Sequence, residues 1–122
     1  MSDPSIPLTT GEWKEWGNPN EYKYFDYMLS YSPYDNVREQ SYPNILITSG
    51  LYDSRVAYWE PAKWASKLKT FKTDNNDVLL KTDLNSGHSG SSARYKKMMD
   101  KSFDQAFVFY HLGLVYNDFS YK

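Results

Sequence analysis

Two short stretches of the chain are apolar and β-branched for their length. Ile45, Leu46 and Ile47 lie between Pro43 and Gly50, and Val78, Leu79 and Leu80 follow the turn-forming Asp74-Asn75-Asn76. Neither alternates with polar residues, so each predicts a buried strand of the parallel type, over 44–50 and 78–82. The remaining apolar positions repeat at helical spacing. Trp64, Ala65, Leu68 and Phe71 predict a helix from near Tyr58, with Pro61 suited to its first turn. Tyr95, Met98, Met99, Phe103, Ala106, Phe107 and Tyr110 predict a longer amphipathic helix reaching about Leu112, started by Ser91 or Ser92.

Upstream, Tyr24, Phe25, Tyr27, Met28 and Leu29 allow a helix over 21–29, which should stop before Ser32-Pro33 because a residue preceding proline avoids the α region. Residues 1–20 contain Pro4, Pro7, Gly11, Gly17 and Pro19. That punctuation predicts an ordered loop pinned by Trp13 and Trp16. The last six residues, 117–122, read as a frayed tail. The order strand, helix, strand, helix is a βαβ unit with a right-handed crossover, and ligands of such sheets bind outside the carboxyl ends of the strands. The fold class is α/β: two short parallel strands with flanking helices.

Composition narrows the classes. With 122 residues the chain is one domain at most, and its formal charge of -1 gives no electrostatic reason for a nucleic-acid or anionic-membrane partner. There are no cysteines, which removes disulfide and thiol chemistry and fits a reducing compartment. No stretch approaches the roughly 20 apolar residues of a membrane span, and Met1 to Trp16 lacks a signal-like pattern. The expectation is a cytoplasmic protein.

Chemistry concentrates at the two strand ends. Asp53 follows the first strand, and His88 sits in a Gly-x-x-Gly loop after the second, 35 residues later. Alone, Asp53 reads as a turn or capping residue. Together they suggest an acid and a base, since a carboxylate accepting the imidazole Nδ1–H fixes the tautomer and leaves Nε2 to take a proton from a nucleophile. Ser86, Ser89, Ser91 and Ser92 crowd His88 but lack elbow geometry, and no Gly-x-Ser-x-Gly precedes Asp53. His111 reads as structural. Two distant histidines without a His-x-x-x-His or a cysteine pair leave no metal site and no cofactor in the expectation. Arg55 would share the rim with Asp53, as a ligand for a substrate carbonyl or carboxylate or as part of a surface salt bridge. Glu12, in an aromatic loop, is expected to be partly buried and to want a cationic partner.

Several stretches also carry a resemblance. Asp3 to Trp13, Glu15 to Pro19, Tyr31 to Val37, Asp53 to Trp64 and Ser86-Gly87-His88 closely resemble the C-terminal end of the oligopeptidase B group of the prolyl oligopeptidase family, serine peptidases of the α/β-hydrolase fold capped by a β-propeller. The likeness extends to about Leu112. It implies that 1–122 is part of an α/β-hydrolase catalytic domain without its propeller, first strands, oxyanion region or serine elbow. Met1 is then expected to be an internal methionine of that pattern. Asp53 and His88 would be the triad acid and base, and Arg55 a contact to bound peptide. Glu12 would be one of two acids receiving the basic side chain of peptides cleaved after Arg or Lys. Lys14 stands where the family usually has the second acid, and would repel such a side chain.

Two expectations follow. Lacking a nucleophile, this chain alone should not turn over peptides, surviving otherwise as a binding or complementing module. An apolar strand edge left open should favour a homo-oligomer.

Overall fold

The computed structural model of the protein describes residues 1–6 and 8–114. The tail expected at 117–122 lies outside them, as does Pro7. The elements are α1 (Thr9–Trp16), α2 (Tyr22–Tyr31), β1 (Ile45–Gly50), α3 (Trp59–Phe71), β2 (Val78–Asp83) and α4 (Arg94–His111). β1 and β2 pair in parallel, with Ile45 opposite Val78 and Gly50 opposite Asp83. Equal strand lengths in this register make both strands end at one level, which brings the two following loops side by side.

The core forms where the crossover helix lies on the sheet. Leu68 is 1% exposed and Ala65 3%, and with Val37, Ile47 and Val78 they make one cluster, flanked by Tyr42, Ile45 and Trp64. Residues 64 and 65 each lie about one turn from 68 on α3, so the helical repeat itself delivers this face. At the opposite end of the strands, Asp74 accepts N–H groups from Tyr42 and Asn76 and pairs with Lys72 at 2.9 Å, so its carboxyl lies well below the usual range. The Asn44 side chain accepts the Asp77 N–H, and the Ile45 N–H bonds the Asp77 carbonyl. The chain is thus tied at the entry to both strands.

Four expectations change. Residues 9–16 are helical, not loop: α1 fits between Pro7 and Gly17, whose φ of 97° stops it. Trp13 does anchor the segment, its indole N–H donating to the Met1 carbonyl, but Trp16 is exposed. The strands are only half-covered, with Leu79 and Leu80 exposed, because among the described residues the sheet has two strands and one packed helix. Finally, α4 follows Ala93, with no side-chain cap, and the Ser91 hydroxyl receives the Ala93 N–H just ahead of it.

Candidate active site

The two strand ends meet through backbone before any side chain does. The Leu51 N–H bonds the Asp83 carbonyl, and the Tyr52 N–H bonds the carbonyl of buried Ser86. Gly50 makes that approach possible: a Cβ there would lie 2.6 Å from the Ser86 carbonyl oxygen and 2.8 Å from that of Gly87. Beyond, the Gly90 N–H bonds the Gly87 carbonyl with Gly90 at a φ of 70°, a tight turn that presents His88.

His88 Nδ1 lies 3.0 Å from Asp53 Oδ2 and 3.2 Å from Oδ1. Against an ionised carboxylate only an Nδ1–H can donate, so this partner assigns the tautomer and leaves Nε2 as an acceptor. Asp53 is held in turn, since its Oδ1 accepts the N–H groups of Arg55 at 2.8 Å and Val56 at 2.9 Å. Burial works to raise the Asp53 carboxyl, but the Val56 and Arg55 N–H groups and then His88 outweigh it, and the net effect is a carboxyl below its ordinary value. The Asp53 side chain is 10% exposed and that of His88 44%, so the acid is sheltered while the imidazole faces outward.

A cavity of about 280 Å³ opens beside His88, lined by Thr48, Ser49 and Gly50 of β1, by Lys81 and Asp83 of β2, and by Asp100 and Asp104 of α4. The other two candidates bring no side chain into the Asp53–His88 contact. Arg55 contributes its backbone N–H, and its exposed side chain has no ion pair among the described residues. Glu12 is exposed on α1, which corrects the expectation of partial burial: of the aromatic residues beside it, Trp13 is only half-buried and Trp16 stands in solvent. It lines a separate groove with Trp16, Phe25, Met28, Tyr31 and Asp35. His111 packs edge-on to Phe107 and lies 3.5 Å from Asp77, away from the strand ends. Sequence reasoning missed Asp83, Lys96 and Asp100, which surround the base of the His88 loop. In sequence they show only an i, i+2 spacing on β2 and an i, i+4 spacing on α4, and nothing there pairs the two sets.

The comparisons with known proteins agree on family and fold. Residues 1–114 match the model of the prolyl oligopeptidase family. The chain belongs to that family. Protease 2 of Moraxella lacunata is 48% identical over 114 residues, covering 93% of this chain and 16% of that protein. The structure of oligopeptidase B from Leishmania major superposes with a TM-score of 0.89 at 67% identity, covering 91% of this chain and 15% of that one. Oligopeptidase B from Trypanosoma brucei, solved in a closed form with covalently bound antipain, gives a TM-score of 0.88 at 68% identity, covering 91% of this chain and 16% of that one. The chain therefore spans about one sixth of the length of these relatives, and its α/β architecture is the C-terminal part of the α/β-hydrolase domain such peptidases carry. Among the described residues no helix is long and apolar enough to cross a membrane, and no three His, Cys, Asp or Glu side chains cluster as a metal site.

Proposed function

We propose that this chain supplies the acid and the base of a serine oligopeptidase that cleaves peptides after Arg or Lys. Asp53 orients His88 and steadies the imidazolium that forms when Nε2 takes the proton of an attacking serine; His88 then returns that proton to the leaving amine. The reading rests above all on the 3.0 Å contact between His88 and Asp53 at the ends of adjacent parallel strands. Family membership supports peptides as substrates, and the antipain held covalently by a structural relative is consistent with acyl-transfer chemistry there. Glu12 receives the basic side chain of the substrate, Lys14 weakens that preference, and the exposed Arg55 binds peptide.

No Gly-x-Ser-x-Gly occurs in the 122 residues, so the chain by itself has no nucleophile to activate and does not turn over peptide. Its activity is conditional on a segment bearing that serine, whether in the same polypeptide or added to it. The test is hydrolysis of an Arg-containing peptide by the pure chain, and by the chain joined to an upstream α/β-hydrolase segment carrying the elbow. Turnover that appears only in the joined form and vanishes with His88→Ala supports the reading. Inhibitor-sensitive turnover by the pure chain, or a joined form indifferent to His88→Ala, refutes it.

A second reading, a noncatalytic complementing or oligomerising module, draws on the half-exposed Leu79 and Leu80 and the open edge of β1. Light scattering showing a stable monomer across micromolar concentrations would remove its oligomerising form.

A further inference from the structure

Four charges of alternating sign join α4 to β2. Lys81 pairs with Asp100 at 2.8 Å, Asp100 lies 3.7 Å from Lys96, and Lys96 pairs with Asp83. Their placement is dictated by the two backbone repeats: 81 and 83 fall on one face of a strand, and 96 and 100 on one face of a helix. Away from these pairs α4 holds the sheet lightly. Lys81 lies over the Phe103 ring at 4.4 Å and His111 lies near Asp77, while Tyr95, Met98 and Met99 remain exposed.

Asp83 occupies the point where β2 turns into the His88 loop. One carboxylate oxygen takes Lys96 and the other accepts the Asn85 N–H at 2.9 Å. Its main-chain carbonyl holds the Leu51 N–H, two residues before Asp53. Ser86, three residues on, is buried and bonds Tyr52 through its carbonyl. The side chain of Asp83 therefore anchors, through backbone bonds it does not itself make, both the loop of the acid and the loop of the base.

We propose that the ladder Lys81–Asp100–Lys96–Asp83 is a positioning device for His88, with Lys96 and Asp83 as its deciding pair. This rests on the assignment of His88 as the base. The ladder also fixes the charge that the imidazole faces. Lys81 and Asp83 from β2 and Asp100 and Asp104 from α4 line the cavity beside it, Asp53 bonds it from the β1 loop, where Arg55 is exposed, and Lys96 stands behind Asp83. Removing Lys96 enlarges the excess of carboxylates around the imidazole, which favours the imidazolium. Removing the Asp83 charge does the reverse.

The two histidines of the chain make its imidazole proton–nitrogen spectra simple to assign. In the intact chain, Lys96→Met is expected to raise the His88 protonation midpoint by roughly a few tenths of a pH unit and Asp83→Asn to lower it, with Lys96→Arg restoring the original value. Midpoints that stay put, or move in the same direction in both variants, overturn the proposal. If Lys96→Met fails to fold, the isosteric Asp83→Asn decides alone, an unchanged or raised midpoint overturning it. In the form joined to a serine-bearing segment, both variants are expected to lower kcat/KM about tenfold, with rescue by Lys96→Arg. Wild-type activity indifferent to His88→Ala would sink the functional assignment instead, and the spectra on the chain itself keep the two failures apart.

Discussion

The strand-end corner and the N-terminal helical segment both hold polar side chains through hydrogen bonds, yet they are built by different means. At the corner, contacts join residues more than 30 positions apart: His88 to Asp53, Tyr52 to Ser86, the Ser49 hydroxyl to that of Thr82. In the segment from Met1 to Tyr31 they are local, such as Ser5 to Asp3, Asn20 to Asn18 and Ser30 to Tyr27. Its aromatic residues Tyr22, Tyr27 and Tyr31 stand in solvent, whereas the segment's tie to the rest comes just after it, where Trp64 and Lys67 donate to the carbonyls of Pro33 and Tyr34. The Asp53–His88 pair is thus fixed by the sheet, while the groove lined by Glu12 is built mainly by the N-terminal helices and their flanking turns. Substitutions in the first region should act on rate and fold together, and those in the second on substrate preference alone.

That contrast can be broken most forcefully at Asp53. In a form supplied with the serine, Asp53→Asn is expected to lower kcat about 10⁴-fold by favouring the wrong imidazole tautomer, measured by steady-state hydrolysis of an Arg-containing peptide. A loss of less than tenfold would mean the contact to His88 is incidental. Next in size is the core beneath the corner: Leu68→Ala should destabilise the chain by about 2–5 kcal/mol in denaturant titration, because it is the most completely buried large side chain described. Gly50→Ala should cost about 1–3 kcal/mol by driving a methyl into the Ser86 and Gly87 carbonyls. Unlike the Leu68 change, it should separate the Asp53 and His88 loops.

The carboxylates give the corner a pH signature. Lys96 first, then the Asn85 N–H, hold Asp83 down to about 2 from 3.8, against the opposing effect of burial. A folded value below the unfolded one contributes stability above about pH 4, where the unfolded carboxyl is ionised, and that contribution is lost as pH falls toward 2. Acid unfolding monitored by circular dichroism should show this loss, and Asp83→Asn should flatten it. The smallest effect belongs to the other region. Glu12→Gln should leave stability within about 0.5 kcal/mol while raising KM for Arg-containing peptides in the joined form. An equal change for peptides with a neutral side chain at that position would detach Glu12 from specificity.

The corner was the more legible region in sequence because its elements are declared by strong local signals. Ile45 to Ile47 and Val78 to Leu80 are apolar runs flanked by turn-forming residues, and the α3 repeat of Trp64, Ala65 and Leu68 needs no tertiary knowledge. Parallel pairing follows from the crossover, and with it the nearness of residues 53 and 88. α1 was hidden by the flanking Pro4, Pro7 and Pro19 and by Gly11, although Thr9 and Glu12 stand in the spacing of a capping box. The structure makes no side-chain cap there, and Leu8 enters the helix at a φ of 73°, so that signal would have been right for an incomplete reason. The charge ladder was illegible for a different cause. Lys81, Asp83, Lys96 and Asp100 become neighbours only once α4 has been docked on β2, and solvated single charges look alike in a sequence.

The way α4 is docked makes dissolved salt a selective reagent. Lys96 is 40% exposed and the Lys81–Asp100 pair about a third exposed, so mobile ions reach the ladder, whereas the Leu68 cluster has no charge for them to act on. As ionic strength rises from 0.01 M to 1 M the screening length contracts from about 30 Å to about 3 Å. The outer helix should then loosen while the sheet and its crossover helix keep their packing. A simple electrolyte would uncouple the imidazole from the scaffold that aims it.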